Sequence, residues 1–395
     1  MGGRDANALS THPHPTLFPR PLLLIALDEL AAWLRLLETP RIGREAARKL
    51  LAAFGSPEAV LSAPTSARRE VVPFAVASAL ATPPDTLAPL VEATWQWLHG
   101  AGPDAPPRSV LTLGDPRYPA TLLETADPPL LLYAQGHLEW LQAPAIGLVG
   151  SRKPTPQGVE NARHFAAHLS QSGLTVVSGL AAGIDGAAHE GALENAGRTI
   201  AVVGTGLDRV YPRQHLALAH RIAKMGLILS EYAMGTPPLP AHFPQRNRII
   251  AGLSRGVLVV EAALQSGSLI SARLALECGR EVFAIPGSIH APQSRGCHAL
   301  IKQGAKLVET AEDILEELRW GLRCPHPPAS QDDSAPGELD DEVLSALAFD
   351  PVNLDALIAR TGRTAADLSA HLLELELEGR VARLPGQFFQ RIGLA

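Results

Sequence analysis

Residues 145–158 read AIGLVGSRKPTPQG, an apolar run that ends in a glycine turn and leads into the start of a helix. Similar runs, LTVVSG, TIAVVGTG, GLILSE, GVLVVE and EVFAIPG, recur every 25 to 30 residues with amphipathic stretches between them. Such a rhythm is typical of a parallel sheet with helices on both faces. The sequence therefore predicts an α/β domain over residues 108–322, with an extended Rossmann-like, doubly wound and mostly parallel sheet. Ligands in such sheets bind across the carboxyl ends of the strands.

The region before this domain has a different pattern. Residues 1–20 contain His, Pro and Gly without periodicity, and we expect them to be disordered. Residues 21–103 show short helical segments separated by TPRIG, FGSPEAV and ATPPD, which predicts a small all-helical domain of the helix-hairpin-helix or SAM-like type. The segment 36–56 resembles a helix-hairpin-helix, whose glycine turn presents amides to a DNA phosphate. Because only Gly43 occupies a turn that usually holds two glycines, a plain helical hairpin is the favoured interpretation.

The C-terminal region is predicted to be a separate unit. A linker rich in Pro, Ser and Asp covers residues 323–337, and residues 338–395 read as three helices followed by a hairpin that turns at Pro385 and Gly386. This order indicates a winged helix. Its third helix, TAADLSAHLLELELEG, has four acids and no Lys or Arg, so a protein contact is favoured over DNA readout.

Composition argues against a largely disordered chain, a disulfide-rich or zinc-binding protein, and a protein that spans a membrane near its start. The 395 residues are 46% apolar, which is enough for two or three domains with a substantial core. The three cysteines have neither a disulfide nor a zinc spacing, so a reducing cytoplasm and no metal or cofactor are expected. The apolar run at 21–27 is too short to span a membrane and is not followed by a cleavage site.

Charge is unevenly distributed along the chain. The net charge is −6 overall, but residues 141–310 hold 16 Lys and Arg against 10 Asp and Glu, whereas residues 331–395 hold 5 against 12. The basic part of the chain therefore coincides with the predicted sheet. Its positive charge favours the binding of an anionic polymer to this part.

Three glycine turns lie at the predicted strand ends. GSRK, starting at Gly150, leads into a helix whose amides and dipole could hold an anion beside Arg152 and Lys153. The second turn contains Gly179 and is followed by Asp185, which we expect to cap the next helix. The third is VVGTGLDRVYP. The sequence thus predicts an anion site at the edge where these turns meet.

The stretch HFPQRNRIIAGLSRG, residues 242–256, adds cations and an aromatic ring to that edge. On a helix, Arg246 falls within the apolar arc, whereas Arg248 and Arg255 fall on the opposite side. We therefore expect Arg246 to face the strand ends, and Arg248 and Arg255 to form salt bridges, meet solvent or line a subunit contact. Phe243 would stack a base, which suits single-stranded nucleic acid.

A further strand-to-helix loop, QSGSL, is expected at the same edge. Ser268 is predicted to cap the helix that follows, and Glu261, at the end of the preceding strand, to accept hydrogen bonds from the amides of this loop.

Three classes of enzyme could use such a sheet. A dinucleotide-binding dehydrogenase is excluded because GxGxxG is absent from the first turn and no acid ends the second strand. A P-loop nucleotide hydrolase is excluded because GxxxxGK[ST] is absent. His189, Asp185, Glu190 and Glu261 could perform acid and base chemistry, but structural roles are favoured for each. A phosphoribohydrolase acting on nucleotides remains the alternative, motivated by Glu261 at a strand end, although its PGGxGTxxE run is missing. No catalytic residue is predicted.

Six motifs occur in order between residues 118 and 305: YPATLLETADPPLLLYAQG, IGLVGSRKPTPQG, VVSGLAAGIDGAAHEGAL, FPQRNRIIAGLS, VVEAALQSGSLISARLALECGREVFAIPG and LIKQGA. Together they closely resemble the bacterial DNA-processing protein A family, also called Smf. The resemblance implies a non-enzymatic protein that binds and protects incoming single-stranded DNA in natural transformation. It further implies that the protein displaces single-strand-binding protein, loads the recombinase RecA, and dimerises through its Rossmann-like domain.

The resemblance also implies a set of DNA-binding residues, to which Lys153 is added from charge alone. The predicted set is Gly150, Ser151, Arg152, Lys153, Gly179, Phe243, Arg246, Asn247, Ser266, Gly267 and Ser268. Two positions depart from the family pattern. Pro240, Ala241 and His242 stand where some members carry a Lys, so part of the electrostatic contact with DNA is expected to be either missing or pH dependent. His298 stands where Asn is expected.

Overall fold

A computed structural model describes residues 25–194, 197–320, 342–347, 351–384 and 388–392. The N-terminal segment 1–20 and the linker 323–337, for which disorder and a linker role were predicted, lie outside the described residues.

The first part of the chain forms six short helices, which pack in a core that they share with the edge of the neighbouring sheet. Leu30, Leu34 and Leu50 are fully or almost fully buried in that core, which also includes Val110 and Tyr133 from the neighbouring sheet. The helices are α1 (Leu27–Glu38), α2 (Arg44–Phe54), α3 (Pro57–Ser62), α4 (Thr65–Arg69), α5 (Phe74–Ala79) and α6 (Leu87–His99).

A nine-stranded sheet forms the centre of the molecule. Its spatial order is β1-β2-β6-β5-β4-β3-β7-β8-β9; β1 and β2 are antiparallel, β2 pairs antiparallel with β6, and all other neighbours are parallel. The six predicted apolar runs are strands β3 to β8, so the mostly parallel architecture is confirmed. The strands are β1 (Arg108–Thr112), β2 (Leu131–Gly136), β3 (Ala145–Val149), β4 (Thr175–Ser178), β5 (Thr199–Val203), β6 (Leu227–Ser230), β7 (Gly256–Val259), β8 (Glu281–Ala284) and β9 (Lys306–Leu307).

Eight helices accompany this sheet: α7 (Ala120–Leu123), α8 (Pro156–Gln171), α9 (Ile184–Glu194), α10 (Leu216–Met225), α11 (His242–Leu253), α12 (Ser268–Glu277), α13 (Arg295–Lys302) and α14 (Ala311–Glu317). Helices α8, α9 and α14 share a core with one face of the sheet, and α7, α11, α12 and α13 share a core with the other. Strand order runs in opposite directions on the two sides of β3 and β7. That reversal is the switch point at which doubly wound sheets bind ligands.

The C-terminal residues form a winged helix with a core that includes Leu357, Leu368 and Phe389. A three-stranded sheet in the order β10-β12-β11 accompanies its helices, which confirms the predicted fold, while the predicted turn at Pro385 and Gly386 lies outside the described residues. The elements are α15 (Glu342–Leu347), β10 (Val352–Asn353), α16 (Leu354–Thr361), α17 (Ala365–Leu377), β11 (Val381–Leu384) and β12 (Phe388–Arg391).

Within the described ranges, every helix is too short or too polar to cross a bilayer.

Candidate nucleic-acid interface

A cleft of about 700 Å³ opens at the carboxyl ends of β3 and β7, at the switch point of the sheet. Ten of the eleven predicted site residues line it, and the eleventh, Gly179, lines a smaller adjoining cavity of about 70 Å³. The lining side chains carry three cations, Arg152, Lys153 and Arg246, and one carboxylate, Asp185. Folding therefore brings residues from four separate segments of the chain to one positively charged cleft.

The turn after β3 is held in place by the start of α9. The Ile184 amide donates to the Ser151 carbonyl at 3.1 Å, and the Lys153 amide donates to the Ser151 hydroxyl at 3.1 Å. Gly150 is required here because a Cβ at this position would come within 2.6 Å of the Ile184 side chain. The turn is thus fixed by its backbone, and the side chains of Arg152 and Lys153 are left exposed.

The N-terminus of α8 does not have the role that the sequence suggested. The Thr155 amide and hydroxyl donate to the Glu261 carboxylate at 3.0 and 2.5 Å, and the Thr155 hydroxyl also accepts from the Gly158 amide. A carboxylate of the protein therefore occupies the place expected for a bound anion. The prediction that Glu261 bonds the QSGSL loop is wrong for the same reason, because its partner lies in the first turn. Burial raises the pKa of Glu261, and the two hydrogen bonds from Thr155 act against this.

Arg246 lies beneath the second glycine turn and not at the surface. Its side chain is on the apolar face of α11, as the helix angles predicted, but it is only 4% exposed. Its Nη2 donates to the Gly179 carbonyl at 2.8 Å, and its charge acts on the buried Asp185. Burial lowers the pKa of Arg246, and Asp185 opposes that shift. Arg246 is consequently a fixed positive charge in the floor of the cleft.

Asp185 is the partner of this turn and not the cap of α9 that was predicted. It lies inside the helix, and its Oδ2 accepts from the Gly179 and Ala181 amides at 3.1 and 3.3 Å. Burial raises its pKa, and the charge of Arg246 and these two amides oppose the shift. Gly179, Asp185 and Arg246 therefore form one buried polar unit under the cleft.

Phe243 presents a half-exposed ring to the cleft. The Arg152 guanidinium lies over this ring, 5.4 Å from its centroid, and the Tyr211 ring lies 5.6 Å away at an interplanar angle of 40°. Tyr211 is 47% exposed and lines both cavities. Tyr211 was not predicted as a site residue, although its position at the end of the third glycine turn was a usable signal.

The loop between β7 and α12 closes the far side of the cleft. The prediction that Ser268 caps α12 is wrong, because Ser268 is the first residue of the helix. Its amide donates to the Ser266 hydroxyl at 3.3 Å, and the two hydroxyls are 2.6 Å apart. The Asn247 amide group donates to the Gly267 carbonyl at 3.5 Å, which connects α11 to this loop.

Of the other two candidates for acid and base chemistry, Glu190 is exposed, whereas His189 has a structural partner. His189 is fully buried, its Nδ1 lies 2.7 Å from the Thr199 hydroxyl, and burial, with the nearby charges of His215 and Arg246, lowers its pKa to about 3. It is therefore a neutral core residue at physiological pH.

Arg248 faces away from the cleft, as predicted, and belongs to an ion-pair cluster. It contacts Asp127 at 3.0 Å and Glu231 at 2.6 Å, and Asp127 also receives Arg44 at 2.9 Å and the Arg48 guanidinium. We call these five residues the arginine latch. The cluster joins α2 to the outer face of α11, so the cations at the start of α2 are already paired with carboxylates of the protein.

Three other residues that the sequence analysis noted have contacts within the protein. Arg255 lies over the Trp320 ring at 5.6 Å. His242 stacks on Tyr232 with 4.0 Å between ring centroids, and its Nδ1 lies 3.1 Å from the Gly204 carbonyl. His298 Nε2 lies 2.9 Å from the Gly287 carbonyl and 3.4 Å from the amide of the same residue. His298 thus bonds a backbone segment, as an Asn side chain could.

Comparison with known proteins identifies all three parts of the chain. The family model described as DNA recombination-mediator protein A matches residues 109–319, the DprA-like N-terminal HHH domain matches 28–81, and the DprA winged helix domain matches 326–387.

Individual relatives agree with these family models. Protein Smf of Escherichia coli is 43% identical over 75% of this chain and 80% of its own length, and DNA processing protein DprA of Streptococcus pneumoniae is 51% identical over 52% and 73%. The X-ray structure of DNA processing protein A from S. pneumoniae superposes with a TM-score of 0.63 at 38% identity, covering 75% of this chain and 99% of that one. The chain therefore belongs to the DNA recombination-mediator protein A family, whose members carry the names DprA and Smf.

Proposed function

We propose that the cleft binds single-stranded DNA and that the protein acts as a recombination mediator without catalysing a reaction. The observation that carries this proposal is the position of Phe243, a partly exposed aromatic ring beside the exposed Arg152 at the switch point of the sheet. Base stacking on an aromatic ring needs an unpaired base, and the neighbouring Arg152 and Lys153 suit the phosphates on either side of it.

Within this proposal the predicted site residues have different tasks. Arg152 and Lys153 are exposed and reach the phosphates, whereas Arg246 contributes its charge from below through the Gly179 turn. Because the Arg152 guanidinium lies over the Phe243 ring, a base that stacks on this face must first displace it. The Ser266, Gly267 and Ser268 loop and the GSR turn supply the small residues that allow the DNA backbone to approach closely.

Family membership supports the biological setting. Within this proposal the protein protects incoming single strands in natural transformation, helps to displace single-strand-binding protein, and loads RecA in the cytoplasm. Within the same proposal it forms a homodimer through its Rossmann-like domain.

The proposal is tested with a fluorescent oligo-dT in anisotropy titrations at several salt concentrations. Phe243→Ala is expected to weaken binding about 5- to 150-fold, since stacking contributes roughly 1–3 kcal/mol per base. Arg152→Ala should lower the slope of log K against log salt by about 0.7, the value for one phosphate contact on single strands.

Arg273→Ala is the matched control, because Arg273 is an exposed arginine that pairs only with Glu277 outside the cleft. It should bind like the wild type. Equal affinity of all four proteins, or a preference of the wild type for duplex DNA, would refute the assignment of the site.

A further inference from the structure

Helix α17 of the winged helix carries two apolar faces. Leu368, Leu372 and Leu375 are almost completely buried in the domain core. Leu373 and Leu377, one helical turn apart, are 56% and 82% exposed. At 100° per residue, Leu377 lies opposite Leu368 on the helix. Packing in the domain core therefore does not account for Leu373 and Leu377.

The margins of this exposed ridge are acidic. Glu374 and Glu376 lie on its two sides, both exposed, and Asp367 and Glu378 extend the acidic margin. The helix contains no Lys or Arg. The His371 ring lies 3.6 Å from Glu374, and the Arg380 guanidinium lies 3.6 Å from Glu378. The ridge thus combines an apolar centre with an excess of negative charge at its edges.

The charge pattern selects among the occupants that could cover the ridge. DNA is disfavoured, because α17 would bring carboxylates to phosphates. A second copy of α17 is also disfavoured, because its acidic margins would face the same margins on the partner and like charges in contact are unfavourable. A protein surface with an apolar stripe between Lys and Arg residues matches both the centre and the edges.

We propose that Leu373 and Leu377 of α17 form a docking surface for a partner protein, and that the partner presents an amphipathic helix with basic margins. The apolar stripe of that helix packs on the two leucines, and its cations meet Glu374 and Glu376. The winged helix is then an adaptor that brings a second protein to the DNA-binding cleft. This surface is separate from the cleft in sequence and in core, so it goes beyond the proposed DNA binding.

The probe for this surface is a fluorescein-labelled synthetic 18-residue helix with leucines at i, i+4, i+7 and i+11 and lysines on both sides of them. It is titrated against the full-length protein. The double variant Leu373→Gln/Leu377→Gln is expected to weaken binding at least tenfold, and Glu374→Gln/Glu376→Gln should weaken it and reduce its salt dependence. The matched control is Leu123→Gln/Leu276→Gln, which changes two leucines that are 52% and 57% exposed outside the winged helix.

Unchanged thermal unfolding of the α17 variant shows that its loss of binding is not a folding defect. Equal probe affinity of the α17 and control variants would overturn the proposal, since charge alone would then explain binding. Two further outcomes would also overturn it. A lower solution mass of Leu373→Gln/Leu377→Gln by light scattering would assign the ridge to a second copy of the chain, and a loss of duplex binding in that variant would assign it to DNA.

Discussion

Gly179 shows how a single residue without a side chain can shape the binding cleft. A Cβ at this position would lie 1.6 Å from Nη1 and 2.3 Å from Cζ of Arg246. Gly179→Ala must therefore expel the guanidinium from its place, break its bond to the Gly179 carbonyl, and leave Asp185 buried without its cation. We expect at least tenfold weaker binding of oligo-dT, measured by anisotropy.

A glycine outside the cleft provides the control. A Cβ at Gly102 would meet nothing within 4 Å, and the φ of this residue lies outside the left-handed region. Gly102→Ala should therefore change the affinity less than about twofold. If Gly179→Ala binds like the wild type, or if both substitutions are equally harmful, the buried unit formed by Gly179, Asp185 and Arg246 is not what shapes the cleft.

His189 leads to a prediction on stability. Its pKa is lowered to about 3 in the folded protein, whereas the ordinary value is 6.5, so the unfolded chain binds the proton more readily. The contribution of His189 to stability is complete above pH 6.5 and is lost as the pH falls below that value. We expect a loss of about 1 kcal/mol between pH 6.5 and 5.5 from this residue. Urea unfolding at both pH values should show a smaller loss for His189→Gln; an equal loss would contradict the assignment.

At the scale of single residues, sequence patterns predicted side chains that line the cleft but not the partners of those side chains. Helical periodicity placed Arg246 on the buried face and Arg248 on the opposite one, because side-chain direction depends only on spacing along α11. The partners of Glu261 and Asp185 were predicted wrongly. Thr155 lies 106 residues from Glu261 in sequence, and only the parallel pairing of β3 and β7 brings the two together.

Helix α11 connects the cleft to the helical domain, because its two faces carry different residues. Phe243, Arg246 and Asn247 line the cleft, whereas Arg248 enters the arginine latch with α2. Burial acts to raise the pKa of Asp127, but the charges of Arg248, Arg48 and Arg44 outweigh it and hold that pKa below its ordinary value. The stabilisation by Asp127 is thus present above the ordinary carboxyl pKa near 4 and is lost as the pH falls further.

Asp127→Asn should lower the free energy of unfolding by about 1–2 kcal/mol. The cost is below that of a fully buried pair because the Asp127 side chain is 30% exposed. Urea unfolding at pH 7 measures it. The control is Glu124→Gln, which removes an ion pair between Arg280 and a carboxylate that is 63% exposed, and which should cost less than about 0.5 kcal/mol. If the arginine latch does not stabilise the fold, Asp127→Asn and Glu124→Gln will unfold at the same urea midpoint.

The elements that the sequence predicted best are those with a strong periodic signal. Strands β3 to β8 are continuous Val, Ile and Leu runs that end near a glycine or an acid, and each was located. The antiparallel strands β1 and β2 were not predicted as such. RSVLT and LLYAQG are separated by a long excursion that contains α7, so no short turn marks them as a hairpin.

On the scale of the whole molecule, charge and packing divide the chain in the same way. Residues 141–310 are net basic and contain the cleft, whereas residues 331–395 are net acidic and include the winged helix, whose core shares no residue with the cores of the sheet. The two parts should therefore be separable in function as well as in folding.

We expect a chain truncated after residue 320 to bind oligo-dT within about threefold of the full-length protein at roughly 300 mM salt, where exposed charges act only over short distances. At about 50 mM salt the truncated chain should bind more tightly, since the removed residues 321–395 hold 12 acids against 6 cations and repel the DNA. Anisotropy titrations at the two salt concentrations measure this difference. The same truncation should abolish binding of the basic helical probe. A large loss of oligo-dT affinity at both salt concentrations would instead place part of the DNA site in the winged helix, which the acidic surface of α17 argues against.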